Sequence, residues 1–446
     1  MTSSFLKEEL EKARKLRPKS AKLWEKAQEV LPGGISHTIR TFDLHLIGGI
    51  PLFIKSANGS FLVDVDENKY IDCWNGHFAM ILGHNHPQVK ESVKEAIEQG
   101  WHFGTNTQYQ VELANTIIKD NKSIEKIRFC TSGTESTMYA IRLARAYTKK
   151  RLVAKVKLGW HGANDTLYYC VGNFDENFVS PGLIKAKDAK VTFFEINDEK
   201  IFEIIKKNGK EMAAVILEPV LGGGGGFPAN TEFLKRLREE TESRDIILIF
   251  DEVITGYRFF YGLYQEDIKI YSDLTTMGKI IGGGFPIGAV GGREDIIERS
   301  APNSKNQVLI GGGTFSGYPI SMIAGLKTLE ILKNSKEEYE RINKAGQVLL
   351  NNLNEYFKFE KIPIIATGYK SIIMLHVLSK WIENPNMKEI VLNTDKKREA
   401  LLHLALFNRN FSGLHGLGSL SMAHAKEHID QIEKTVKSIA RSVAFS

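Results

Sequence analysis

From about residue 88 onward the chain alternates strand-length apolar runs with helical stretches, and that alternation limits its fold more than any other feature. The strand candidates lie at 127–130, 152–156, 191–194, 213–217, 246–250 and 287–290. Helical patterns at 135–148 and 231–243 separate several of them. Short apolar runs joined by helices predict an α/β domain with a largely parallel sheet. Ahead of it, residues 4–31 read as one helix ended by Pro32-Gly33-Gly34, and 46–72 as a small antiparallel sheet. Behind it, residues 316–357 look helical. A strand at 371–377 and helices near 396–408 and 427–443 then suggest a second, smaller domain. The expected division is an N-terminal helix and small-domain segment (1–87), a large domain (88–333) and a C-terminal small domain (334–446).

Composition excludes several classes. Of 446 residues, 42% are apolar and 25% charged, which is a globular balance and neither disordered nor collagen-like. The net charge of +6 is not gathered into any run of five Lys or Arg, so no nucleic-acid footprint is read. No stretch of 18 apolar residues exists, so no membrane span is expected. The segment Met1 to Lys19 is polar and of mixed charge, unlike a signal peptide, which points to the cytoplasm. Cys73, Cys130 and Cys170 lie far apart with no C-x-x-C, which gives neither a disulfide framework nor a zinc site. His84 and His86, in Gly83-His84-Asn85-His86-Pro87, read as a turn and not as a metal site.

Ligands of open α/β sheets bind beyond the carboxyl ends of the strands, so the residues after each run carry the chemistry. Ser132-Gly133-Thr134-Glu135 follows one run and opens a helix. Free N–H groups there suit a phosphate, although the same spacing serves a purely structural capping box. Glu218-Pro219 follows a second run, and Asp251 a third. A carboxylate at Asp251 needs a cation or donor; a pyridinium nitrogen is one partner, and a salt bridge to Arg258 is the plainer one. Lys279 stands between Gly278 and Gly282-Gly283-Gly284. A lysine becomes a good amine nucleophile when burial or a cation lowers its pKa; an isolated Gly-Lys is otherwise a solvated turn. Gly222 to Gly226 reads as a loop over a site or a linker. There is no Walker motif, and no G-x-G-x-x-G opens a helix after the first strand.

Taken together and in order, the motifs resemble class III aminotransferases, pyridoxal-phosphate enzymes of fold type I. They are Ser132-Gly133-Thr134-Glu135, Trp160-His161-Gly162, Glu218-Pro219-Val220, Asp251 to Arg258, Gly278 to Gly288 and Gly312 to Gly317. The most similar branch is glutamate-1-semialdehyde 2,1-aminomutase, and the likeness runs from about Pro32 to His424. The resemblance implies a large domain with a mostly parallel sheet sandwiched by helices, plus a small α+β domain built from both termini. It implies that Lys279 forms the aldimine with pyridoxal 5'-phosphate and then moves the proton. Asp251 would keep the ring nitrogen protonated. Ser132, Gly133 and Thr134 would bind the phosphate, helped by Thr314 of the partner subunit in a homodimer with sites at the interface. Trp160 and Val253 would flank the ring, and Glu218 would join the cofactor contacts.

The departures fall where the family places its substrate. The aminomutase pattern Gly-Gly-Val-Asn-Ser-Pro-Val-Arg becomes Gly33-Gly34-Ile35-Ser36-His37-Thr38-Ile39-Arg40. Arg40 survives and could pair with a carboxylate, while His37 replaces the serine. His77 stands where the aminomutase has tryptophan. Near the C-terminus the family's Phe-Glu-Ala-Gly becomes His415-Gly416-Leu417-Gly418, so the glutamate is absent and His415 falls where related β-amino-acid aminotransferases carry arginine. The segment from Ala163 to Pro181, in place of the aminomutase gating loop, is different too. Retained cofactor residues with altered substrate residues favour an aminotransferase that passes an amino group from an amino acid or amine donor to a carbonyl acceptor. The aminomutase is the alternative. An inactive binding protein of this fold is disfavoured by the intact Lys279 and Asp251.

Overall fold

The computed structural model describes residues 3–177 and 180–446. Phe178 and Val179, within the segment that stands in place of the gating loop, lie outside the described residues. By their contacts the residues fall into two compact units, 87–339 and 1–86 with 340–446.

The unit 87–339 is built on a seven-stranded sheet. Across it run Lys126–Cys130, Gly288–Gly292, Leu274–Gly278, Ile247–Asp251, Met212–Leu217, Leu152–Val156 and Val191–Phe194. Pairing is parallel from Leu274–Gly278 to Val191–Phe194, and Gly288–Gly292 runs antiparallel to both of its neighbours. The Met212–Leu217 and Ile247–Asp251 strands are buried at every position, which is why they appear in the sequence as unbroken apolar runs. The helix Gly133–Thr148 turns Tyr139, Ala140, Leu143 and Ala144 into the core beneath the sheet, against Ala214, Ile216, Ile249 and Val290.

The Leu274–Gly278 strand does not appear among the sequence candidates, because its centre is Thr275-Thr276 and not an aliphatic run. Both threonines are buried and satisfied: Thr275 Oγ1 accepts from Gln265 Nε2 at 2.8 Å, and Thr276 Oγ1 donates to Asp251 Oδ1 at 2.9 Å. A sequence reading that looks for apolar runs passes over polar residues whose partners come from elsewhere.

In the other unit, Ile54–Asn58, Phe61–Asp64 and Lys69–Asp72 form the expected antiparallel sheet, and Phe411–Ser412 adds a parallel edge. A second small sheet pairs Ile364–Tyr369, Ile372–Val377 and Gly418–Ser419. The expected single helix over 4–31 is two helices, Ser4–Leu16 and Pro18–Val30. Pro18 takes the first position of the second helix and drives Arg17 to φ −132, outside helical geometry. The region 316–357 likewise divides into Pro319–Lys333 and Lys336–Phe359. No helix among the described residues is long and apolar enough to cross a membrane. The three cysteines are free and buried.

Candidate active site

The unit 87–339 brings its polar strand-end residues to one edge of the sheet. Asp251 ends its strand and pairs in register with Thr276, so the chain beyond Gly278 places Lys279 next to it in the sheet's order. Val253 joins this edge to the helix start. A Cβ added to Gly133 would lie 3.3 Å from Val253, and one on Gly278 would lie at the same distance. Gly288 is packed so closely on this corner that a Cβ would meet the Ser132 carbonyl at 2.1 Å, so only glycine lets the antiparallel strand support the helix start there.

Ser132 caps the Gly133–Thr148 helix, its Oγ accepting the Glu135 N–H at 3.3 Å. Glu135 does not close the predicted box on Ser132 itself. Its carboxylate accepts the Thr131 N–H at 2.7 Å, one residue earlier. The first-turn N–H groups of a sixteen-residue helix remain available at its positive end. Gly162 approaches the same place, since a Cβ there would stand 2.5 Å from Thr134 Oγ1.

Asp251 is nearly fully buried. Its Oδ2 meets His161 Nδ1 at 2.8 Å, and its Oδ1 accepts from Thr276 Oγ1 at 2.9 Å and from the Val253 N–H at 3.2 Å. Burial lowers the His161 pKa against the raising hydrogen bond and charge of Asp251. The ring is therefore neutral, and it donates from Nδ1 to the carboxylate. His161 Nε2 is buried with no partner. Although His161 lies in a quoted motif, nothing local in the sequence marks this role, because Asp251 is ninety positions away.

Glu218 is buried and accepts the N–H groups of Trp160 and Gly222, each at 2.9 Å. Burial, and after it the charge of Asp251, hold its carboxyl well above the usual carboxylate range. Gly222, expected in a flexible loop or linker, is in fact packed, and a Cβ there would meet Ile254 Cδ1 at 2.1 Å. Trp160 remains half-open to solvent, its ring edge-on to Tyr168 at 5.6 Å. Lys279 adopts φ 49, a left-handed conformation that costs a non-glycine residue about 1–2 kcal/mol. Burial lowers the pKa of its amine, while Asp251 and then Glu218 pull it upward. Thr314 is exposed in a loop whose Gly313 passes its own helix start; a Cβ on Gly313 would lie 3.4 Å from Glu135 Oε1.

This donor set fits a phosphorylated pyridine aldehyde. It offers free helix N–H groups for a phosphate, a carboxylate with one of its roughly four lone-pair sites left for a ring N–H, and an amine of lowered pKa at the end of the neighbouring strand. The orphaned His161 Nε2 marks the same corner as polar.

The remaining candidates lie in the other unit. His77 and His415 pack on Trp74, with ring centroids at 4.2 and 6.1 Å, and His37 packs on His77 at 5.4 Å. His77 is presented by four successive left-handed residues, Asn75, Gly76, His77 and Phe78, with φ of 50, 56, 66 and 66. Asn75 secures the run, with its N–H on Asp72 Oδ2 at 3.0 Å and its Nδ2 on the Ser419 carbonyl at 2.7 Å. Burial pushes the His415 ring down to about 3, so it is neutral at physiological pH. Arg40 lies exposed in the short turn Thr38–Thr41. His84, read as part of a turn, meets Asp72 Oδ2 at 2.7 Å. The carboxylate comes from the neighbouring Lys69–Asp72 strand. Among the described residues no group of three or more metal-binding side chains occurs.

Buried neutral histidines give the protein an acid limit. Burial holds His424 at about 4, with its Nδ1 accepting the Ser421 N–H at 3.0 Å. Unfolded, such a ring titrates near 6.5. Below that pH the unfolded chain takes up a proton that the folded chain refuses, so stability falls as pH drops from about 6.5 towards 4, by about 1.4 kcal/mol per unit for this ring alone. Melting temperature is expected to decline steadily over that window. His424→Asn, which keeps an acceptor for Ser421, should flatten the decline; an equally steep one would remove His424 from the account.

A sequence profile of the class-III aminotransferases matches residues 47–365. A glutamate-1-semialdehyde 2,1-aminomutase of Methanothrix thermoacetophila is 41% identical over 356 residues, covering 79% of this chain and 80% of that protein. Its counterpart in Methanosarcina acetivorans is 36% identical over 432 residues, 95% of this chain and 98% of that protein. Among solved structures, an omega-transaminase from Sphaerobacter thermophilus superposes with a TM-score of 0.85 at 30% identity, covering 96% of this chain and 98% of that one. A glutamate-1-semialdehyde aminomutase from Pseudomonas aeruginosa shares the fold, with a TM-score of 0.86 at 21% identity over 99% and 98% of the two chains.

Proposed function

Because the chain belongs to the class-III aminotransferase family, we propose that it is a pyridoxal-phosphate enzyme that moves an amino group from an amino acid or amine donor to a carbonyl acceptor. When bound, pyridoxal phosphate supplies a ring that draws electrons away from the reacting substrate carbon. The protein does the rest. N–H groups at Ser132, Gly133 and Thr134 hold the phosphate at the helix's positive end. Asp251 keeps a proton on the ring nitrogen, and neutral His161 holds that carboxylate in place. Trp160 and Val253 would flank the ring, with Glu218 fixing the backbone of Trp160. Lys279 would hold the cofactor through its amine, and the same amine would take and return the proton at the substrate carbon. Burial lowers the pKa of that amine and so favours its neutral, nucleophilic form.

Transfer between two substrates is favoured over an internal shift by one observation. The linked rings of His37, His77, Trp74 and His415 hold imidazoles where the aminomutase pattern has serine and tryptophan, and Gly416 stands in place of its glutamate. A mutase must retain its intermediate, and removing one polar partner from a buried site costs about 1–3 kcal/mol. Since His415 is neutral, Arg40 is the fixed cation among these substrate candidates. The 41% identity to an aminomutase supports the second reading, an aminomutase proper. Incubation with glutamate 1-semialdehyde separates the two. An aminotransferase is expected to make little 5-aminolevulinate, to lose its visible cofactor absorbance with an amine donor and to regain it with a 2-oxo acid. Efficient turnover with no acceptor would establish the aminomutase.

A homodimer belongs to the same reading. Trp101, Phe103, Val111, Leu309 and Phe315 expose large apolar surface, and His102 packs on Phe315 at 5.1 Å, joining the two stretches. A patch of this kind suits a second copy of the chain, and Thr314 lies within it. Light scattering should give a dimer, and Phe103→Asp with Phe315→Asp should give a monomer. A wild-type monomer with full activity when dilute would refute the shared site.

A further inference from the structure

Lys155 stands within the Leu152–Val156 strand and is 0% exposed. A buried amine of this kind needs partners, and it has two. Its Nζ donates to the Val156 carbonyl at 3.0 Å and to the Gly159 carbonyl at 2.9 Å. Both residues are buried, so their oxygens depend on protein donors. The turn between them is sharply bent. Leu158 sits at φ 68, with its N–H on the Cys170 carbonyl at 2.8 Å. Directly after the turn come Trp160, fixed by its N–H to Glu218, and His161, fixed to Asp251. The segment is therefore held at its far side by the two carboxylates and at its near side by Lys155.

We propose that Lys155 is a positioning residue: by gripping the Val156 and Gly159 carbonyls it sets the turn that presents Trp160 and His161 to the cofactor, and it stands as a cation behind Glu218 and Asp251. The inference rests on the function proposed above. Desolvation brings the amine down to about 8, against the pull of Cys170, Glu218 and Asp251. A neutral amine keeps two N–H donors, which is the number the two carbonyls require. The turn is thus held in either protonation state, while the positive charge behind the carboxylates is present at neutral pH and lost in alkali.

The test uses holoenzyme carrying Lys155→Met, which removes donors and charge at similar length, and Lys155→Gln, which restores amide donors without charge. Far-ultraviolet circular dichroism and melting verify folding. The Met variant is expected to bind pyridoxal phosphate yet lose most of the cofactor's visible circular dichroism, which reports the asymmetric wall around the ring. The pH midpoint of the visible absorbance should move upward, because a cation that opposes protonation is gone. The Gln variant should regain the dichroism and keep the raised midpoint. Wild-type dichroism and midpoint in the Met variant would overturn the proposal. If that variant does not fold, the Gln variant decides: a raised midpoint supports the proposal, and a wild-type midpoint overturns it. A wild-type protein with no visible cofactor band would instead refute the proposed function, and it would show this before any substitution.

Discussion

Lys279→Ala is expected to lose turnover by about 10⁴-fold or more and to lose the visible absorbance of the lysine-bound cofactor. The size follows from two duties on one amine. In the proposed reaction it would hold the cofactor as nucleophile and move the proton as base; general-base removal alone typically costs about 10²–10⁴. The position is built for this. Lys279 follows a strand buried at every position, adopts a left-handed φ of 49, and has its amine's pKa lowered by burial. Alanine at 279 removes the amine while leaving the sheet untouched, so the variant should melt close to wild type. Turnover at the wild-type rate would end the assignment.

Asp251→Asn is expected to cost about 10²–10³ in rate, the scale of one preorganised electrostatic partner. The side chain keeps its size and can still meet Thr276 Oγ1 and the Val253 N–H, now 2.9 and 3.2 Å from Asp251 Oδ1. What it loses is the charge that, in the proposed role, would hold a proton on the ring nitrogen. Affinity for pyridoxal phosphate should fall much less, because the helix N–H groups are unchanged. His161→Phe gives a graded comparison. It removes the 2.8 Å bond to Asp251 Oδ2 without removing the carboxylate, so its loss in rate should be smaller than that of Asp251→Asn. Normal turnover by Asp251→Asn would show that the ring nitrogen is governed by another group.

The sequence is legible where a single strand end carries the chemistry. Glu218 follows a run buried at every position and Asp251 ends another, and these Met212–Leu217 and Ile247–Asp251 strands lie close to their expected places. Legibility fails where a partner comes from far along the chain. His161 gains its role from Asp251, and the Leu274–Gly278 strand hides two threonines whose hydroxyls are satisfied by Gln265 and Asp251. Backbone hand is equally hidden. Nothing in Asn75-Gly76-His77-Phe78 announces four successive left-handed residues, since three of them carry a Cβ that resists that conformation. Pro18 is the opposite case, a visible breaker masked by an apolar pattern that continues on both sides of it.

The left-handed run at residues 75–78 traces a turn of mirror-image helix, the conformation natural to D-amino acids. At Gly76, with φ 56, an L-residue's Cβ would also stand 2.9 Å from Met80 Cγ. An L-alanine there opposes the backbone's hand and crowds Met80, whereas a D-alanine introduced by chemical ligation matches that hand. In a semisynthetic protein the two enantiomers, placed one residue before His77, should therefore part in stability, with D above L.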